Sequence, residues 1–138
     1  MILKTITAMQ LCSISQLLFL TLFMDLEAFR KYCLSKKGVS EGFPFGEDTL
    51  VFKVMGKIFA ITSFEQPLSV NLKCDPERAI ELREQYEEVQ PGYHMNKKHW
   101  NTVDFEGHIP ARELKEMIDH SYELVIESLT RKSKEELS

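Results

Sequence analysis

The apolar positions of this chain change period several times, and each change marks an element. Leu26, Phe29 and Cys33 recur at helical steps and share one face. Lys36-Lys37-Gly38 should end that helix, because cations suit the negative end of the helix dipole and glycine accepts the left-handed conformation just beyond it. Ser40 to Gly46 reads as a loop in which Phe43 and Phe45 flank Pro44 and fold back onto the core. Thr49 to Val54 and Ile58 to Thr62 are rich in β-branched and aromatic residues, and Met55-Gly56-Lys57 between them predicts a tight hairpin.

Pro67 then introduces Leu68 to Lys73. Leu68, Val70 and Leu72 alternate with Ser69, Asn71 and Lys73, the pattern of an antiparallel strand with one covered and one wet face. Asp75-Pro76 opens a second helix, with Asp75 as N-cap and Pro76 in its first turn. Its inner stripe is Ala79, Leu82, Tyr86 and Val89, and Pro91-Gly92 ends it. Trp100 to Phe105 predicts a further strand, closed by a turn at Glu106-Gly107. Pro110 starts the last helix, which buries Leu114, Met117, Ile118, Ser121, Tyr122, Val125 and Leu129. The order is α-βββ-α-β-α, an α+β class: an antiparallel sheet with helices packed on one face.

Two stretches stand outside this pattern. Met1 to Phe23 holds one cation, Lys4, and no acid, and its apolar run from Leu17 to Phe23 is well short of the roughly 20 residues a spanning helix needs. It reads as a leader outside the fold, with Met24 as the start of the domain. A signal or anchor and an extra packed segment are the alternatives, the former weakened because no small-residue cleavage site follows the apolar run. At the other end, residues 133–138 read as a charged, frayed tail after a single domain over residues 24–132.

Composition narrows the function. The chain has 138 residues, enough for one core, and its 43% hydrophobic and 28% charged content is that of a globular domain. The net charge of −4 gives no bulk attraction to a polyanion, so any nucleic-acid contact must come from a local patch. Cys12, Cys33 and Cys74 are scattered and form neither a zinc pattern nor a disulfide framework, which fits buried thiols in a reducing compartment, the cytoplasm.

No phosphate loop, dinucleotide fingerprint, nucleophile elbow or zinc-protease motif occurs, and no catalytic constellation, metal site or cofactor is nominated. His94, His99, His108 and His120 lack metal-ligand spacing. Glu77, Glu81, Glu84 and Glu88 would line one face of the second helix, either an acidic ridge for cations or a solvated face relieved by Arg78 and Arg83.

The one concentrated stretch is Pro91 to Trp100, P-G-Y-H-M-N-K-K-H-W, basic and aromatic with no acid. Lys97 and Lys98 can neutralise phosphates, Asn96 can read a base edge, and Tyr93, His94 and Trp100 can stack. Lys73 and Asn71, with Lys53 and Lys57, extend the patch onto the neighbouring strands. Pro91, Gly92 and Trp100 have a structural reading: the first two make the turn, and the tryptophan anchors its strand in the core.

These residues also carry a resemblance. F-P-F-G-E-D-T-L-V-F-K-V from Phe43 to Val54, G-K-I-F-A from Gly56, N-L-K-C-D-P from Asn71, P-G-Y-H-M-N-K-K-H-W-N-T-V from Pro91 to Val103 and I-D-H-S-Y-E-L-V from Ile118 resemble the MmcQ/YjbR family. The likeness runs from about Met24 to Arg131, and the Gly92–Trp100 run is its specific part. It implies a frataxin-like (CyaY-like) α+β fold, a cytoplasmic protein without known cofactor, and a DNA-binding label that rests on a winged-sheet likeness to a phage transcription-factor domain. The first helix offers only Asp25 and Glu27, fewer acids than frataxin-type iron binding uses.

Two readings follow. In the first, the wet sheet face and the Pro91–Trp100 segment contact the backbone of duplex DNA through Lys97, Lys98, Asn96, His94, Lys73 and Asn71. In the second, a non-enzymatic domain binds a small molecule or protein and has no nucleic-acid role.

Overall fold

The computed structural model describes residues 23–65, 68–105 and 107–138. The leader expected over Met1 to Phe23, all but its last residue, lies outside the described residues, as do the strand entry at Pro67 and the turn residue Glu106. The described residues form, in order, α1 (Leu26–Leu34), β1 (Val39–Gly42), β2 (Thr49–Val54), β3 (Lys57–Ser63), β4 (Ser69–Lys73), α2 (Pro76–Gln85), β5 (Val89–Pro91), β6 (Trp100–Asp104), α3 (Ala111–Glu127) and α4 (Arg131–Leu137). The strands form one antiparallel sheet ordered β1-β2-β3-β4-β6-β5. This is the α+β class the periodicity predicts.

Local chemistry accounts for the element ends. The Asp25 carboxylate accepts the Ala28 N–H at 2.8 Å and caps α1. Asp75 caps α2 through the N–H groups of Glu77 and Arg78, with Pro76 in the first turn. The β2–β3 hairpin turns on Met55 and Gly56, which both take positive φ, 49° and 84°, as a two-residue turn between antiparallel strands requires.

Strand alternation sends Leu50, Phe52 and Val54, Val70 and Leu72, and Val103 to one side. There they meet Phe29 and Cys33 of α1, Ala79 and Leu82 of α2, and Leu114, Met117, Ile118 and Val125 of α3. Phe29 packs edge-on against Phe52 and Phe105, and Phe59 against Tyr122. Ser121 pins α3 to the sheet: its hydroxyl donates to the Phe59 carbonyl at 2.5 Å and accepts the Lys73 N–H at 2.9 Å. The register shift opposite Phe52 and Lys53 leaves Phe59 of β3 as the extra, unpaired residue of a bulge.

Several expectations are corrected. Val39 to Gly42 pairs with β2 rather than looping, because Val39 faces Val54 and packs on the core. The second helix ends at Gln85, and Val89, expected on its inner stripe, is buried on β5 instead. Glu88 therefore leaves the acidic helix face, which keeps only Glu77, Glu81 and Glu84. Phe43 and Phe45 do not fold onto the core but stand 51% and 66% exposed. Trp100 does not anchor β6 in the core. The buried positions of that strand are Asn101 and Val103, so alternation places Trp100 on the opposite face, where it is half-buried. The tail forms α4, capped by the Thr130 hydroxyl at the Ser133 N–H, and Leu137 packs against the core.

Candidate ligand site on the open sheet face

Among the described residues, no helix covers the second face of the sheet. Register places Thr49, Ser63, Ser69 and Asp104 in one row across it, and Ile61, Asn71, Thr102 and Gln90 in the next. Together with the loops at its margins, this face forms a depression of about 910 Å³. Its apolar lining is Ile58, Ile61, Met95, Phe45 and Tyr93, and its acidic lining is Glu65, Glu87, Glu88 and Asp104, with His94 at the margin. No lysine or arginine is among the described residues that line it.

The turn between β5 and β6 forms one wall. Tyr93 folds back over the sheet because its N–H donates to the Thr102 hydroxyl at 2.8 Å, and that hydroxyl donates onward to the Asn71 amide oxygen. Gly92 makes the reversal possible: its N–H meets the Trp100 carbonyl at 2.8 Å, and a Cβ there would stand 2.8 Å from the Trp100 Cβ and 3.0 Å from the Trp100 carbonyl oxygen. His94 takes a left-handed φ of 58°, uncommon for a side chain with a Cβ, and its ring lies 3.9 Å from that of Tyr93. This conformation aims the two rings at the depression.

The rest of the turn is held from inside. The Lys97 ammonium donates to the Gly92 carbonyl at 3.0 Å. The Asn96 side chain accepts the N–H groups of Lys98 and His99 at 2.9 and 3.3 Å. Arg83 of α2 reaches under the turn, donating to the Lys97 carbonyl and, at 2.8 Å, to the buried Asn101. At the opposite margin, Glu88 accepts the His108 N–H at 3.1 Å. That backbone donor, with Glu88's own, holds its carboxyl below the usual range, so Glu88 is anionic at neutral pH.

The predicted site residues thus separate. Asn71 and His94 share the depression, Asn71 already engaged by Thr102. Lys97 and Asn96 are occupied in the turn, Lys98 is exposed, and Lys73 is half-buried. None of these four lines the depression. Sequence reasoning missed the roles of Arg83, Glu65, Glu87 and Asp104, and placed Glu88 on a helix face rather than beside the sheet. Arg83 carried no signal, because its partners lie 14 and 18 residues away in sequence and meet it only in the fold.

Elsewhere, burial pushes the Cys33 thiol up to about 12 and the Cys74 thiol up to about 11, which leaves both protonated and poorly nucleophilic at neutral pH. Among the described residues no group of three or more His, Cys, Asp or Glu could hold a metal ion, and no helix is long and apolar enough to cross a membrane.

The family model described as YjbR matches residues 34–124, which spans the sheet, α2 and most of α3. The chain belongs to the YjbR family. It is 36% identical over 107 residues to the Escherichia coli O157:H7 protein YbdF, covering 77% of this chain and 88% of that one. It is 32% identical to YjbR of Escherichia coli K12, covering 77% and 91%. Both relatives are described as uncharacterized. The crystal structure of a Deinococcus radiodurans protein with the DUF419 domain superposes with a TM-score of 0.76 at 40% identity, over 85% of this chain and 88% of that one. A Pseudomonas syringae crystal structure gives 0.66 at 28% identity, over 73% and 98%. The fold is shared with both solved structures.

Proposed function

We propose that this protein is a non-enzymatic binding domain whose ligand lies on the open face of the sheet, between the Phe45 loop and the Tyr93–Met95 turn. The observation that carries this reading is the depression itself. It is a concave surface of about 910 Å³ with an apolar floor and convergent polar groups, near the upper end of the range for ligand sites. Phe45 and Tyr93 stand 66% and 67% exposed at its margins, an arrangement that gains contact area when a ligand enters.

The DNA-binding reading stands behind it. Its face would present Glu65, Glu87, Glu88 and Asp104 to the phosphates, and two of its contact residues, Lys97 and Asn96, already hold the turn. The support that remains is the exposed Lys98 and the half-buried Lys73.

One titration decides between the readings. Duplex DNA is added at low and then rising salt, and the shifted backbone amides are mapped by NMR. The binding-domain reading expects no saturable DNA binding, and expects small apolar molecules to shift Ile61, Asn71, Thr102 and Tyr93. DNA binding that weakens with a log–log slope of about −0.9 per phosphate neutralised, and is lost in Lys97→Glu/Lys98→Glu, would establish the DNA reading instead.

A further inference from the structure

We propose that the ligand of the open face is a small organic cation, an ammonium attached to a flat apolar body. The inference rests on the ligand-site reading above and adds the chemical class. Three features of the depression point the same way.

The first is charge. The lining holds four acidic side chains, Glu65, Glu87, Glu88 and Asp104, and among its described residues there is no lysine or arginine. In a concave site walled by protein, charges of one sign reinforce each other and raise the local concentration of the opposite ion. An anionic ligand would meet four carboxylates, while a cation would be drawn in.

The second is the placement of those carboxylates. Asp104 ends the row Thr49, Ser63, Ser69, Asp104. Glu88 is joined to it through its backbone, since the Asp104 N–H donates to the Glu88 carbonyl at 3.0 Å, and Glu87 precedes Glu88. Glu65 lies just past the end of β3, at the Ser63 end of the same row. The acids therefore gather at one end of the sheet face, while the adjacent row presents Ile61, Asn71, Thr102 and Gln90. A charged head would be held at one end and an uncharged body would extend over the next row.

The third is aromatic. Tyr93 and Phe45 are exposed aromatic side chains at the margins, and Met95 is also in the lining. Ring faces attract a cation and stack on a flat apolar group, and methionine adapts to its outline.

Three indole compounds with matched bodies test the proposal on the full chain: tryptamine (cation), tryptophol (neutral) and indole-3-propionate (anion). Affinities come from amide shifts in two-dimensional NMR at low salt. Tryptamine is expected to shift Ile61, Asn71, Thr102 and Tyr93 and to bind about tenfold more tightly than tryptophol, with indole-3-propionate weakest. Raising the salt should narrow the difference. Glu65→Gln/Glu87→Gln removes two exposed carboxylates without touching the core, and it should bring tryptamine to within about threefold of tryptophol.

Equal affinities for tryptamine and tryptophol on this face would overturn the cation proposal and leave the ligand-site reading standing. So would an unchanged preference in the double variant, or a preference for the anion. If none of the three compounds shifts this face at millimolar concentration, both readings fail.

Discussion

The two faces of the sheet are built by the same strands and have opposite chemistry. On the helix side, Phe29, Phe52, Phe59, Val70 and Ile118 are all fully buried, and even the polar Ser121 is committed to two strands at once. On the open side, alternate residues of the same strands present hydroxyls, amides and half-buried isoleucines beneath two exposed aromatic rings. The first face is a solved packing problem. The second leaves apolar surface and carboxylates together, which helix packing would have removed. Apolar surface left uncovered beside charge is what marks a binding face.

The contrast can be broken by substitution. Phe59→Ala removes a fully buried ring from the helix side and should cost about 3–5 kcal/mol in chemical denaturation. Ile61→Ala, two positions along the same strand on the open face, should cost only about 1 kcal/mol because Ile61 is half-buried. Equal losses would mean the open face is covered in solution. Ser121→Ala should cost about 1–3 kcal/mol, since it strips the Lys73 N–H and the Phe59 carbonyl of their shared partner.

Smaller effects sharpen the comparison. Thr62 is buried on the helix side, and its hydroxyl has no hydrogen-bond partner among the described residues. Thr62→Val keeps the shape and should raise stability by about 1 kcal/mol in the same assay. Within the Pro91–Trp100 turn, Lys97→Ala should cost about 1 kcal/mol through its lost bond to Gly92, and Lys98→Ala should be neutral.

His120 gives the pH test. Its ring nitrogen accepts the Asp75 N–H at 3.1 Å, so the neutral form is the bound one. Burial, aided by the Arg78 guanidinium, holds it below the ordinary value of 6.5, while Asp75, Glu123 and Glu127 oppose the shift. The unfolded chain then binds the proton more readily. This contribution is present above pH 6.5 and is lost as pH falls through the folded value. Denaturation midpoints should fall on acidification from neutral pH, and His120→Gln should flatten that limb.

Much of the fold was legible from local pattern. The Asp75-Pro76 helix start, the Met55-Gly56 hairpin, the alternation of β4 and the apolar stripe of α3 each depend on residues a few positions apart, and each reads directly. The two missed strands are short and sit at the sheet edges. Val39–Gly42 and Val89–Pro91 have too few residues to show a period, and pairing with β2 and β6 is what makes them strands. Trp100 was misplaced for a related reason. A large aromatic in a strand suggests the core, but the register of β6 assigns the buried positions to Asn101 and Val103.

The site was less legible than the fold. Pro91–Trp100 is a basic, aromatic run in the sequence, yet Lys97 and Asn96 hold the turn and Lys98 stands exposed, while His94 and Tyr93 line the depression. The sequence by itself determined the α+β class, the caps, the central hairpin and the family, because propensity, alternation and turn chemistry act between near neighbours. Only the tertiary structure decided that Glu65, Glu87, Glu88 and Asp104 would line one depression on the sheet. They come from separate segments brought side by side by strand pairing, and no local pattern records which carboxylates long-range register will make neighbours.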